Sequence, residues 1–97
     1  MSEPGADPVV VEARQQIAAL DRAIVEALNR RIELVVELRR HKQAHGLPFV
    51  DRAREGEQLE LLRRASRGPL SAAGLREIYA EILALVKREV ERRDGGI

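Results

Sequence analysis

Apolar and polar positions alternate with a helical period along nearly the whole chain. Stepping by three and four from Arg14 gives Ile17, Asp21, Ile24, Leu28, Arg31, Val35, Leu38 and Lys42. This is an unbroken heptad stripe, the side that a helix normally buries. No Gly or Pro interrupts the chain between Val9 and His45. The pattern predicts one helix there of about 35 residues, roughly 50 Å long. Gly46, Leu47 and Pro48 end it. A second helix is predicted from near Asp51, a suitable N-cap or first-turn acid, and it carries Leu59 and Leu62. It fades over Ser66–Arg67–Gly68–Pro69. Ser71 is placed to cap a third helix that presents Leu75, Ile78, Tyr79, Ile82, Leu83, Val86 and Val90 at helical spacing and frays at Asp94–Gly95–Gly96. No strand alternation and no internal repeat is present. The expected fold is all-α, one long and two shorter helices, with flexible tails at 1–8 and 94–97 and a single domain over 9–93.

Length sharpens this picture. A compact monomer of this size has a radius of gyration of only ~13 Å. A 50 Å helix overhangs such a domain, so a partner is expected, most simply a second copy of the chain. Composition narrows the chemistry. The 97 residues are 44% hydrophobic and 34% charged but only 2% aromatic, so the core must be aliphatic. A net charge of +1 argues against a dedicated nucleic-acid binder. Without cysteine there is neither disulfide nor thiolate metal site. No apolar run reaches the ~18 residues of a membrane span, and MSEPGADP is not a signal segment, so a cytoplasmic setting is expected.

The stripe is unusual in carrying cations. Arg30, Arg39 and Arg40 lie off it and read as a solvated face, as do Arg22, Arg63, Arg64 and Arg67. Arg14 and Lys42, near the helix ends, also fit snorkelling side chains. Arg31 does not, because it lies mid-helix between Leu28 and Val35. A buried guanidinium without a counter-anion is too costly to persist. Arg14 and Arg31 are roughly 25 Å apart along one helix and cannot clasp one small molecule from the same chain. In an antiparallel pair of helices, Arg14 of one chain approaches Arg31 of the other. Lys42 lies about 16 Å beyond Arg31. A ligand held between them should carry at least two negative charges. In the second helix, Asp51 and Glu55 are one turn apart with Arg54 beside them. Asp51 reads as a cap, while Glu55 falls on the inward stripe leading to Leu59 and Leu62. His41 and His45 have i, i+4 spacing, but no third metal ligand accompanies them. No phosphate loop or dinucleotide fingerprint occurs.

Four pieces in order, "ARQQIAALD" (13–21), "LNRRIELVVELRRHK" (28–42), "GLP" (46–48) and "DRARE" (51–55), resemble the all-helical class of chorismate mutases. The likeness covers about residues 9–92. It implies an intertwined homodimer whose long first helix is shared between two active sites. It implies rearrangement of chorismate to prephenate, in aromatic amino-acid biosynthesis, without cofactor or metal. By this resemblance Arg14 reaches into the partner's site to bind a substrate carboxylate. Arg31 binds a carboxylate within its own chain's site. Lys42 bonds a carboxylate and the ether oxygen, Arg54 supports carboxylate binding, and Glu55 with the backbone near Asp51 receives the ring hydroxyl. In the third helix the family usually offers a Ser and, one turn later, a Gln or Glu. Here the register puts Val86 and Val90 at those positions, and Glu89 falls one residue off. A slow mutase is therefore expected. The alternatives are a domain that an upstream enzyme of the pathway activates or regulates, and a mutase or lyase for a chorismate relative. Glu55 favours a hydroxyl-bearing ring over the latter.

Overall fold

A computed structural model describes residues 7–49 and 51–95, with side chains described as far as residue 93. Three helices make up the order: α1, Pro8–Ala44; α2, Arg52–Ala65; and α3, Ala72–Gly95. No strand occurs among the described residues. None of these helices is long and apolar enough to cross a membrane. The chain divides into two compact units, Met1–Arg31 and Ile32–Ile97.

The described part of the first unit is a single stretch of α1. Asp7 starts it, its Oδ1 accepting from Val9 N at 2.9 Å and Val10 N at 3.3 Å. Pro8 occupies the first helical position, where a missing N–H costs nothing because that donor has no intrahelical partner. The helix thus begins one residue before the expected start. The rest of the amino-terminal tail, residues 1–6, lies outside the described residues, as do Val50, Gly96 and Ile97. Several of the unit's apolar side chains are open: Ile17 is 56% exposed, Leu20 63%, Ile24 57% and Val25 56%. On the stripe expected to be buried, Ile17 and Ile24 are therefore open, while Leu28 and Arg31 are half-buried. One helix has no second apolar surface of its own to close over it.

The second unit contains the core. Val36 of α1 packs with Val86 and Val90 of α3, and Ile32, Val35 and Ile82 surround this cluster. Val36 lies one residue off the heptad stripe. On that stripe Leu38 is 48% exposed, and Val35 and Lys42 are half-buried. The α3 positions expected inside divide similarly. Tyr79, Val86 and Val90 are buried, whereas Ile78 is 49% exposed. A packed neighbour covers one side of a helix and leaves the flanks of a wide apolar face in solvent.

Local chemistry sets the helix ends. Leu47 N donates to Lys42 O at 2.8 Å and Gly46 N to Gln43 O at 3.4 Å, with Gly46 at φ 65°. This is a Schellman turn, and its left-handed position requires a residue without a Cβ penalty. Asp51 caps α2, its carboxylate accepting from Arg54 N at 3.0 Å. Ser71 caps α3 through Oγ, which accepts from Gly74 N at 2.9 Å. α2 buries no residue fully and lies against α3. Α3 continues to Gly95, past the expected end of the domain at 93.

Candidate active site

The candidate positions fall in both units. Arg14, exposed, and Arg31, half-buried, belong to the first; Lys42, Asp51, Arg54, Glu55, Val86 and Val90 belong to the second. No charged or polar residue among those described is fully buried. The guanidinium of Arg31 therefore keeps contact with solvent within one chain, which removes the penalty that an unpaired buried cation would carry.

Of the candidate cations Arg14, Arg31, Lys42 and Arg54, Lys42 is the one seen in a side-chain hydrogen bond among the described residues. It sits in the last turn of α1, half-buried, and its Nζ donates to Phe49 O at 3.2 Å. The guanidinium of Arg39 lies 5.1 Å from the centroid of the Phe49 ring, within cation–π range. Phe49 follows the Gly46–Leu47–Pro48 break that the sequence marks, and it is the only phenylalanine in the chain. Its part in holding Lys42 was not anticipated; a lone aromatic directly after a helix stop, one loop away from an inward lysine, was the available signal.

Around the start of α2, Asp51 and Glu55 are joined through the main chain, Glu55 N donating to Asp51 O at 3.2 Å. The Asp51 carboxylate is occupied as the cap. Arg54 contributes its backbone N–H to that cap, and its side chain is exposed; Glu55 is half-buried. Val86 is 2% exposed and Val90 0%, both packed on Val36, so α3 presents methyl groups and no hydrogen-bonding group at these two positions.

Charges elsewhere on α2 pair among themselves. Glu60 accepts from Arg63 Nε at 2.9 Å and Nη2 at 2.7 Å, and from Arg64 Nε at 3.2 Å. The hydrogen bond from Arg63 dominates and lowers the Glu60 carboxyl to about 2, while the same contact raises Arg63. The two arginines are exposed and Glu60 is half-buried, so the group lies at the surface, in keeping with a solvated face. The imidazoles of His41 and His45 stack with centroids 4.2 Å apart, and His45 Nδ1 lies 3.0 Å from His41 O. No group of three or more His, Cys, Asp or Glu side chains among the described residues is placed to hold a metal ion. A shallow surface groove over the first turns of α1, lined by Pro8, Val9, Glu12, Ala13 and Gln16, contains none of the candidate residues.

Comparison with known proteins adds one match. A family model described as chorismate mutase type II matches residues 13–91, a span that includes every candidate position from Arg14 to Val90. No curated protein and no solved structure matches the chain.

Proposed function

The chain belongs to the chorismate mutase type II family, and from that membership we propose that it converts chorismate to prephenate with its own side chains alone. As a chorismate mutase it is an isomerase. The observation that carries the detailed reading is the extent of the match: residues 13–91 bring in both arginines of the α1 stripe, Lys42 and the Asp51–Glu55 turn together. The setting we propose is phenylalanine and tyrosine biosynthesis in the cytoplasm.

The reaction is a unimolecular Claisen rearrangement. The ether C–O bond breaks, a C–C bond forms, and no atom or electron is gained or lost. The protein has two tasks. It must select the compact reactive conformer, an orientation effect, and it must stabilise negative charge building on the ether oxygen. Arg31, and Arg14 supplied by a second chain, take the two carboxylates, since guanidinium forks bind carboxylates in fixed geometry. Arg54 supports them. Lys42 donates to a carboxylate and to the ether oxygen. Glu55, with the backbone at Asp51, accepts the ring hydroxyl. Val86 and Val90, which within one chain pack on Val36, stand at the substrate positions that the family resemblance implies and offer no donor there. Loss of one donor to an oxyanion typically costs ~10²–10³ in rate, so turnover is slow unless a partner, such as an upstream enzyme of the pathway, compensates.

The intertwined homodimer belongs to the same proposal. Ile17, Leu20, Ile24 and Val25 are each more than half exposed. Covering them with a second copy stabilises the pair by roughly 25 cal/mol per Å² of apolar area removed from water.

The test is the loss of chorismate absorbance with purified protein, product identified chromatographically, beside Arg31→Ala. Prephenate formed by the wild type and lost in the variant upholds the proposal. Binding without turnover in the wild type replaces it with a partner-activated or regulatory domain. A different product points to a chorismate relative as the substrate. Neither binding nor turnover removes the site assignment.

A further inference from the structure

Lys42 is held twice by the segment that follows it. Its main-chain oxygen accepts from Leu47 N at 2.8 Å, closing the turn around Gly46. Its Nζ donates to Phe49 O at 3.2 Å, seven residues on. Phe49 is itself gripped by its ring, with the Arg39 guanidinium 5.1 Å from the centroid. Arg39 and Lys42 are three residues apart, one turn of α1, so they project from neighbouring positions on the helix. One turn of helix thus applies two cations to a single loop residue, one to its π face and one to its carbonyl. Pro48 stiffens the link between the turn and Phe49 by fixing φ.

We infer that Phe49 is a positioning residue for Lys42. An ammonium group has three N–H donors. Phe49 O takes one, which leaves two for a ligand and fixes the end of a long, flexible side chain before the ligand arrives. An untethered lysine would have to be ordered at each encounter, at a cost in rotamer entropy. A donor that is already aimed avoids this reorganisation when charge develops. The ring matters because its contact with Arg39 determines where the carbonyl sits. The catalytic consequence rests on Lys42 acting at the substrate, as proposed above; the tether does not.

The chain has only two lysines, Lys42 and Lys87. Selective ¹⁵N-lysine labelling therefore gives two side-chain ammonium signals, with the exposed Lys87 as internal reference. The Lys42 ammonium protons should exchange with water more slowly than those of Lys87 in the wild type. Phe49→Leu should bring the two rates together, and Phe49→Tyr should keep them apart. With chorismate, Phe49→Leu should lower kcat roughly two- to fivefold, the loss of one cation–π contact, with KM little changed. Phe49→Tyr should recover most of that loss. Arg39→Met, which keeps the ring and removes the cation, should behave as Phe49→Leu does, and it serves as the test if Phe49→Leu does not fold. Equal exchange at the two lysines in the wild type overturns the inference. So does a kcat loss that Phe49→Tyr shares, or one that follows thermal stability while Lys42 exchange stays slow. If the wild type does not act on chorismate, the reaction assignment falls, and the exchange rates alone then uphold or overturn the tether.

Discussion

At the level of single residues, Lys42 and Val90 bear opposite relations to the proposed chemistry. Lys42 offers a charged donor from a half-buried position. Replacing it with Ala should lower kcat by ~10²–10³, the usual loss for a donor to developing negative charge, while circular dichroism shows the helices intact. Val90 is 0% exposed. Val90→Gln places an amide where the cluster around it offers only methyl groups, and an unsatisfied buried amide costs about 1–3 kcal/mol. The thermal midpoint of this variant should fall. Its turnover should nevertheless rise if chorismate occupies the proposed pose, because the amide then finds a partner in the substrate. A folded Val90→Gln protein with unchanged or lower turnover counts against that pose. Arg31 was expected to be a buried cation and is half-buried. Among the described residues no anion is paired with it, so complete burial would require a ligand or a second chain.

Among the elements, the helix ends carry more information than the helix interiors. Gly46 at φ 65° ends α1 and turns the chain back towards Lys42. Gly46→Ala should destabilise the protein by about 1–2 kcal/mol, the cost of a left-handed residue with a Cβ, and differential scanning calorimetry would measure it. Since the same turn precedes Phe49, kcat should fall in parallel. Asp51 shows how one residue can meet two readings. Its carboxylate caps α2, and the backbone beside it is where the proposed substrate hydroxyl is received. Asp51→Ala should cost about 0.5–2 kcal/mol of stability, seen as a lower denaturation midpoint. On the outer face of α2, Glu60 has its carboxyl lowered to about 2 by Arg63. A carboxyl lowered on folding stabilises the native state above its unfolded value and loses that contribution as pH falls through the folded one. The Glu60–Arg63 contribution should therefore be present above about pH 4.5 and fade towards pH 2. Comparing Glu60→Gln with the wild type across that range by thermal melts would show the two converge at acid pH. The pair lies at the surface, about half of each side chain open to water, so the difference at neutral pH should be small and decline with salt.

For the whole molecule the central feature is a set of open apolar side chains along the first part of α1. The aliphatic side chains of the first unit stand open at Ile17, Leu20, Ile24 and Val25, while the core of the second consists of Val36, Val86 and Val90 with their neighbours. Under the dimer proposal, Ile24→Asp should shift the sedimentation coefficient to that of a monomer and abolish turnover, because Arg14 can no longer reach a partner's site. The wild-type thermal midpoint should also rise with protein concentration, as mass action requires when association stabilises the fold.

The sequence by itself determined the number, type and approximate limits of the helices. A 3.6-residue period, an uninterrupted run from Val9 to His45, the Gly46–Pro48 break and the caps at Asp51 and Ser71 are local signals, and local hydrogen bonding obeys them. The four ordered motifs also carried the family. Other features depended on what packs against what. Periodicity marks a face as apolar but does not say which neighbour covers it. Hence Ile24 and Leu38 on the stripe are open and Val35 is half-buried, while Val36, one residue to the side, is enclosed. The sequence hinted at the tether from Lys42 to Phe49 only through a lone aromatic placed directly after the helix stop. The tether joins a side chain to a backbone carbonyl across a turn, and a carbonyl is present at every residue, so only the turn's geometry in three dimensions selects the one that lies 3.2 Å from the ammonium.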